Sequence, residues 1–240
     1  MKINKKLAAF TAAAALLSAS AAFASPGEYA AAERIGTALM EELTPESISV
    51  TVAPGGDVAW IDCAGASMSG IRIESLRLEA ELKELPRGEE EGAELMKMIS
   101  GSRGEMTLLE RDVNAYFAGE REIRGFTGLK FDFTPKGYSA EGNFEADLSI
   151  VTINLALNAQ GRLGLREDGV YLEDTVIYAE GLRQPEAVTS LVTDRVNPLL
   201  SFDKIPFPVE FTKLTMSDGD LLLTGSPGRS GQGERWSWKR

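Results

Sequence analysis

The chain has no histidine and a single cysteine, Cys63. Without histidine there is no Ser-His-Asp or Cys-His catalysis, and the usual zinc sites are excluded. One cysteine forms no internal disulfide, so stability must come from burial. Within "AWIDCAG", Cys63 reads as a small apolar residue rather than a reactive thiol. No G-x-S-x-G, Walker or Rossmann glycine pattern occurs. Positive charge is also scarce. The 25 Lys and Arg against 36 Asp and Glu give a formal charge of −11, which disfavours nucleic acid as a partner over most of the surface.

What is present begins with an export signal. Lys2, Lys5 and Lys6 precede the apolar stretch Leu7 to Leu17, and Ala22-Phe23-Ala24 is an A-x-A site. Residues 1–24 therefore read as a secretory signal cleaved before Ser25. Its apolar core is too short to span a bilayer, and no cysteine near the cut could carry a lipid anchor. The expectation is an exported protein, periplasmic or otherwise extracytoplasmic, and soluble after signal removal. Losing the three lysines lowers the formal charge from −11 to −14. No linker or repeat divides the rest, so one domain is expected over 26–226, followed by a flexible basic and aromatic tail over 227–240.

Periodicity predicts the elements. "EYAAAERIGTALMEEL" (28–43) is a helix with Ile35, Leu39 and Leu43 on one face, bounded by Pro45. Period two follows, in "SISVTVA" and "DVAWIDC" around Pro54-Gly55-Gly56. In 70–85 the apolar set moves from Ile71 and Ile73 to Leu76 and Leu78, which predicts a bulge or bend at Glu74-Ser75. Leu95, Met96 and Ile99 suggest a short helix, "EMTLL" a strand, and "ERDVNAYFAG" (110–119) a second short helix. Long strands fill 127–180, with turns at Pro135-Lys136-Gly137 and Asp168-Gly169 and a bend or strand crossing at 150/151. Pro185 opens a helix that Asn197-Pro198 ends, and a hairpin around Asp218-Gly219 closes the domain. The fold class is α+β, a long bent antiparallel sheet with an amphipathic helix.

Acidic motifs carry little chemistry. "SDGD" (217–220) lacks the other ligands of a calcium loop and reads as a hairpin turn, and "GEEEG" (88–92) reads as a solvated loop. Two carboxylates could form a glycosidase pair, but no pair stands out from the outward positions of the strands. No catalytic residue, metal site or cofactor is expected.

The segments "GEMTLLERDVNAYFAG", with Asp112 and Asn114, and "VNPLLSFDKIPFPVEFTKLTMSDGDLLLTG" resemble the LmeA-type phospholipid-binding family. That family is related to the tubular lipid-binding (TULIP) superfamily, whose members wrap a curved antiparallel sheet around a long helix. The resemblance covers residues 30–225. It implies an envelope protein that binds phospholipid and shuttles or presents it, and it carries over no catalytic set.

The residues allow that function without requiring it. Acyl chains need a long apolar trough, at roughly 0.8 kcal/mol per buried methylene. On parity, Phe131, Phe133, Phe144, Leu148, Leu155 and Leu157 should point inward and face Ile35, Leu39 and Leu43 of the first helix. The same alternation describes an ordinary filled core, and hence an envelope scaffold that binds a protein along a sheet edge. The apolar stretch 195–211 reads either as a loop capping one end of the core, or as a mouth where Phe202, Ile205 and Phe207 meet a cavity or a membrane surface. In the tail, Arg229, Arg235, Lys239 and Arg240 oppose Glu234, with Trp236 and Trp238 interleaved. That composition suits either a transient tether to anionic lipid or a disordered end.

Overall fold

The computed structural model describes residues 26–83, 97–118, 125–147, 152–203, 205–225 and 231–240. Residues 1–25, the 88–92 segment, Leu95, Met96, Leu148, Lys204 and Arg229 lie outside them. The first helix, α1 (Pro26–Leu43), buries Ala31, Ala32, Ile35, Leu39 and Leu43 on one face. It ends where Thr44 adopts a φ of 41° and donates its N–H to Met40 O at 3.0 Å. Strands β1 (Ser47–Val52), β2 (Val58–Met68), β3 (Ile71–Leu82) and β4 (Ile99–Leu109) follow, then α2 (Glu110–Phe117). Next come β5 (Phe126–Thr134), β6 (Gly137–Asp147), β7 (Thr152–Arg166), β8 (Gly169–Ala179), β9 (Leu182–Arg183) and α3 (Glu186–Val196). The chain closes with β10 (Leu200–Ser201), β11 (Val209–Glu210), β12 (Lys213–Ser217), β13 (Asp220–Thr224) and β14 (Glu234–Lys239).

The strands form two open sheets. The first runs β12-β13-β4-β3-β2-β1-β14, with β11 parallel to β4, and the second runs β10-β8-β7-β6-β5, with β9 on β8. Directly opposed residues share a face. In the first sheet the row Trp238–Ile48–Cys63–Leu76–Met106–Leu223–Leu214 crosses seven strands without a charge. The expected bend is present and involves two strands. At Gly65, opposite Glu74-Ser75, the inward set of β2 changes from Ile61 and Cys63 to Ala66 and Met68 while that of β3 changes in step.

Three connections tie the sheets. Helix α2 packs on both β3 and β5, and β12 approaches β5 and β7. The third is the apolar stretch itself. It leaves α3, pairs with β8 through β10, then crosses to β4 through β11. Phe202, Ile205 and Phe207 insert between these two anchors and are buried, and Phe202 packs on Phe211 with ring centroids 5.3 Å apart. Both apolar faces join one core.

Two expectations need correction. Ile99 begins a strand rather than ending a helix, because β4 pairs with β3 from Leu82↔Ile99 onward. The tail beyond the domain is also not loose over Glu234–Lys239. It forms β14, antiparallel to β1 over six residue pairs. A Cβ on Gly36 of α1 would lie 2.1 Å from the Trp236 ring, so only glycine lets that ring rest on the helix. Arg235 donates to Ser49 Oγ at 2.9 Å. Apolar burial and ladder bonds therefore hold what composition alone suggested was free.

Candidate functional site

The inner face of the second sheet carries a long apolar track. Its cross-strand rows are Phe126–Phe144–Leu155, Phe131–Ala140–Ala159–Ile177 and Gly142–Leu157–Ala179–Leu182. Leu165–Val170–Leu200 lies at the far end. From Leu155 to Leu165 the track runs ten residue steps along β7, about 33 Å at the usual strand rise. Phe131 sits at the centre of an aromatic group, with centroids 5.7 Å from Phe117, 6.0 Å from Phe133 and 5.9 Å from Tyr138. Burial pushes the Tyr138 phenol up to about 12, and its bond with Thr175 at 2.7 Å offsets part of that.

The two ends of the track differ. At the Leu165 end, Leu199 donates to Val170 O at 2.8 Å and Phe202 to Asp168 O at 3.0 Å, and Phe202, Ile205 and Phe207 are buried there. That end is plugged. At the other end β7 extends past the last residue of β8, since the pairing stops at Leu157↔Ala179. Leu155 is half-buried there, as Leu165 is at the plugged end, and Leu182 is 70 % exposed.

The residues singled out by sequence fall into separate groups. Phe131, Phe133, Phe144 and Leu157 are buried on the second sheet, and half-buried Leu155 lies where β7 runs past β8. Ile35, Leu39 and Leu43 are buried too, but α1 packs on β1, β2 and β14 of the first sheet. The expected opposition of α1 to the phenylalanines is replaced by a helix seated on the other sheet. The reason is that β1 and β14 offer Val50, Ile48 and the two tryptophans to the helix face. Phe202, Ile205 and Phe207 do not form an exposed tip.

Sequence reasoning missed two clamps. Asn114 on α2 donates Nδ2–H to Phe131 O at 2.8 Å and accepts the Phe131 N–H at 2.7 Å, and Glu110 accepts the Phe133 N–H at 2.6 Å. Side chains of a helix thus take the place of a neighbouring strand along the β5 edge. Asn197 does the same for β8, accepting from Leu172 N at 2.7 Å and donating to its O at 3.2 Å. A single asparagine leaves no periodic trace in sequence, so only the two resembling segments pointed to these positions.

Charged groups cluster away from the track. Arg72 donates to Glu46, Glu74 and Asp112 at 2.8, 2.5 and 3.1 Å. These bonds hold the Glu46 and Glu74 carboxyls below their ordinary value. Burial, with a smaller contribution from Asp62, pushes the Cys63 thiol up to about 12, which suits packing and not reaction. A surface hollow of about 440 Å³ on the second sheet is lined by Lys130, Asp132, Ser139, Glu141, Asn158 and Gln160 together with Glu110, Phe131, Ala140, Ala159 and Tyr178. Among the described residues no group of three or more His, Cys, Asp or Glu is placed to hold a metal. No described helix is long and apolar enough to cross a membrane.

No match is found among curated proteins or among solved structures. A family model does match. The LmeA-like phospholipid-binding family covers residues 23–226, ending just past β13 and leaving β14 outside. The chain belongs to the LmeA-like phospholipid-binding family.

Proposed function

We propose that this is an exported envelope protein that binds a phospholipid along the inner face of its second sheet, without catalysis, and transfers or presents it. Supporting the reading are the family and, above all, an apolar track along which β7 runs past the last residue of β8, where Leu155 is half-buried and Leu182 is exposed. Acyl chains laid against Phe144, Leu155, Leu157 and Phe131 would exchange apolar contacts for apolar contacts, at little net cost. Each methylene leaving water contributes roughly 0.8 kcal/mol. The plugged end formed by Phe202, Ile205 and Phe207 would set the depth that the chains reach. Ile35, Leu39 and Leu43 support the first sheet and act only through it.

A second reading, a scaffold with a filled core, is favoured by the burial of that track in its present form. Native mass spectrometry of protein purified from its own envelope separates the two. A phospholipid mass released by organic solvent, and lost in a folded Leu155→Asp variant because a carboxylate is disfavoured in an apolar site, is the expected result. Protein that leaves the envelope lipid-free and takes up no added phospholipid would leave the scaffold reading.

A further inference from the structure

Leu182 is one of two large hydrophobic residues exposed among the described residues, at 70 %, against 44 % for Tyr29. Isolated exposed leucines are ordinary, and three observations set this one apart. First, it ends the inner row Gly142–Leu157–Ala179–Leu182, so its side chain continues the apolar face of the second sheet to its rim. Second, it sits on a fixed turn. Glu180 and Gly181 have φ of 51° and 77°, the two-residue geometry that matches strand twist. Gln184 then pins the return strand by donating its N–H to Ile177 O at 2.8 Å and its side-chain amide to Leu182 O at 2.9 Å. A left-handed glutamate costs about 1 kcal/mol, which fits a turn held for its shape. Third, the turn stands at the end of the track where β7 runs past β8, two strands from Leu157, while Phe202, Ile205 and Phe207 are buried at the other end.

We infer that the β8–β9 turn is a docking lip that rests on a bilayer surface, with Leu182 inserted among the lipids, and that a phospholipid passes under it between the bilayer and the inner face of the second sheet. The inference rests on the phospholipid reading above. The lip carries Arg183 between Glu180 and Glu186, all exposed, so it has no excess positive charge. Its contact is apolar, and the matching surface is a zwitterionic bilayer. The tail is not the contact, because Trp236 and Trp238 are half-buried on the α1 side of the first sheet.

The test uses two sources of one lipid. A short-chain phosphatidylcholine, monomeric in water, is offered to the full chain directly, and long-chain phosphatidylcholine is offered in vesicles. Burying one leucine changes an equilibrium by roughly 10- to 100-fold. Leu182→Ser is therefore expected to bind the monomeric lipid as the parent does and to extract lipid from vesicles at least about tenfold more slowly, with little effect of salt. In Leu182→Trp, the new indole emission should shift to the blue on adding vesicles. Unchanged vesicle extraction by Leu182→Ser, or an indole at position 182 that does not respond to vesicles, overturns the lip. Equal loss with both lipid sources also overturns it, since Leu182 would then belong to the binding track. If the parent protein binds neither form, the phospholipid reading fails and the lip falls with it.

Discussion

Replacing Asn114 with leucine tests whether a side chain can stand in for a missing strand. The substitution keeps the branched outline of the side chain, with somewhat more bulk, and removes both clamp bonds, at 2.7 and 2.8 Å, from the Phe131 backbone. A stranded backbone group costs about 1–3 kcal/mol, toward the lower figure where water can reach it. The site is part-buried, so the sum for the two groups is about 2–4 kcal/mol. A domain of this size has roughly 5–15 kcal/mol to lose, so Asn114→Leu should still fold, with a lower urea midpoint and an unchanged slope. Asn114→Asp sharpens the test. It keeps an acceptor for the Phe131 N–H but sets a carboxylate against the Phe131 carbonyl, so it should also destabilise, and should recover relative to the parent once protonated, when its hydroxyl can donate. Phospholipid loading of the folded fraction should not change in either variant. An Asn114→Leu protein within about 0.5 kcal/mol of the parent, the range of neutral surface changes, would mean that the β5 edge does not need the amide.

Trp236→Ala should cost roughly 2–3 kcal/mol, less than a fully buried tryptophan because the ring is half-buried. Gly36→Val should displace the same ring and red-shift its emission; unchanged emission would mean that β14 is not seated on α1. Arg72 gives a pH signature. Glu46 and Glu74 are depressed below their ordinary value of 4.5, so their contribution is present above it and is lost as pH falls through the depressed values. Arg72→Met should therefore flatten the loss of stability on the acid side of pH 4.5, and an acid limb identical to the parent's would refute that linkage. Cys63, pushed up to about 12 and buried, should resist thiol reagents in mildly alkaline buffer until the protein unfolds, and Cys63→Ser should keep phospholipid binding. Rapid labelling of the native protein would show that the thiol is accessible.

Much of this fold was legible because its signals are local and periodic. The face of α1, the parity of β5 to β7, the turn at Asp218-Gly219 and the shift at Glu74-Ser75 each occupy a few adjacent residues, and the turn expected at Asp168-Gly169 lies one residue earlier, at Glu167-Asp168. Elements defined by their partners were not. The first half of β4, "ISGSRG", has weak strand propensity and is extended because β3 and β11 flank it. β14 does alternate, with Trp236 and Trp238 on one side and Arg235, Ser237 and Lys239 on the other. The glycine- and serine-rich run before it hid that pattern, and nothing local marks β1 as its partner. The division into two sheets was equally invisible, since it follows from which edges pair.

Strand parity was legible, and the direction along the strand was not. Sequence can tell which side of a strand is apolar, and Phe131, Phe133, Phe144 and Leu157 are buried. It cannot tell which end of an apolar track is capped. Apolar density near residue 205 looks like an opening because loops are usually polar, yet a loop that must cross from β8 to β4 over the end of the core has to be apolar. By the same logic an end that opens to a partner should be poor in apolar residues, because every exposed one is a liability until the partner arrives. One leucine in "EGLRQP" is a small enough signal to escape any periodic search. It becomes visible only when the register places it at the end of the inner row, opposite Ala179.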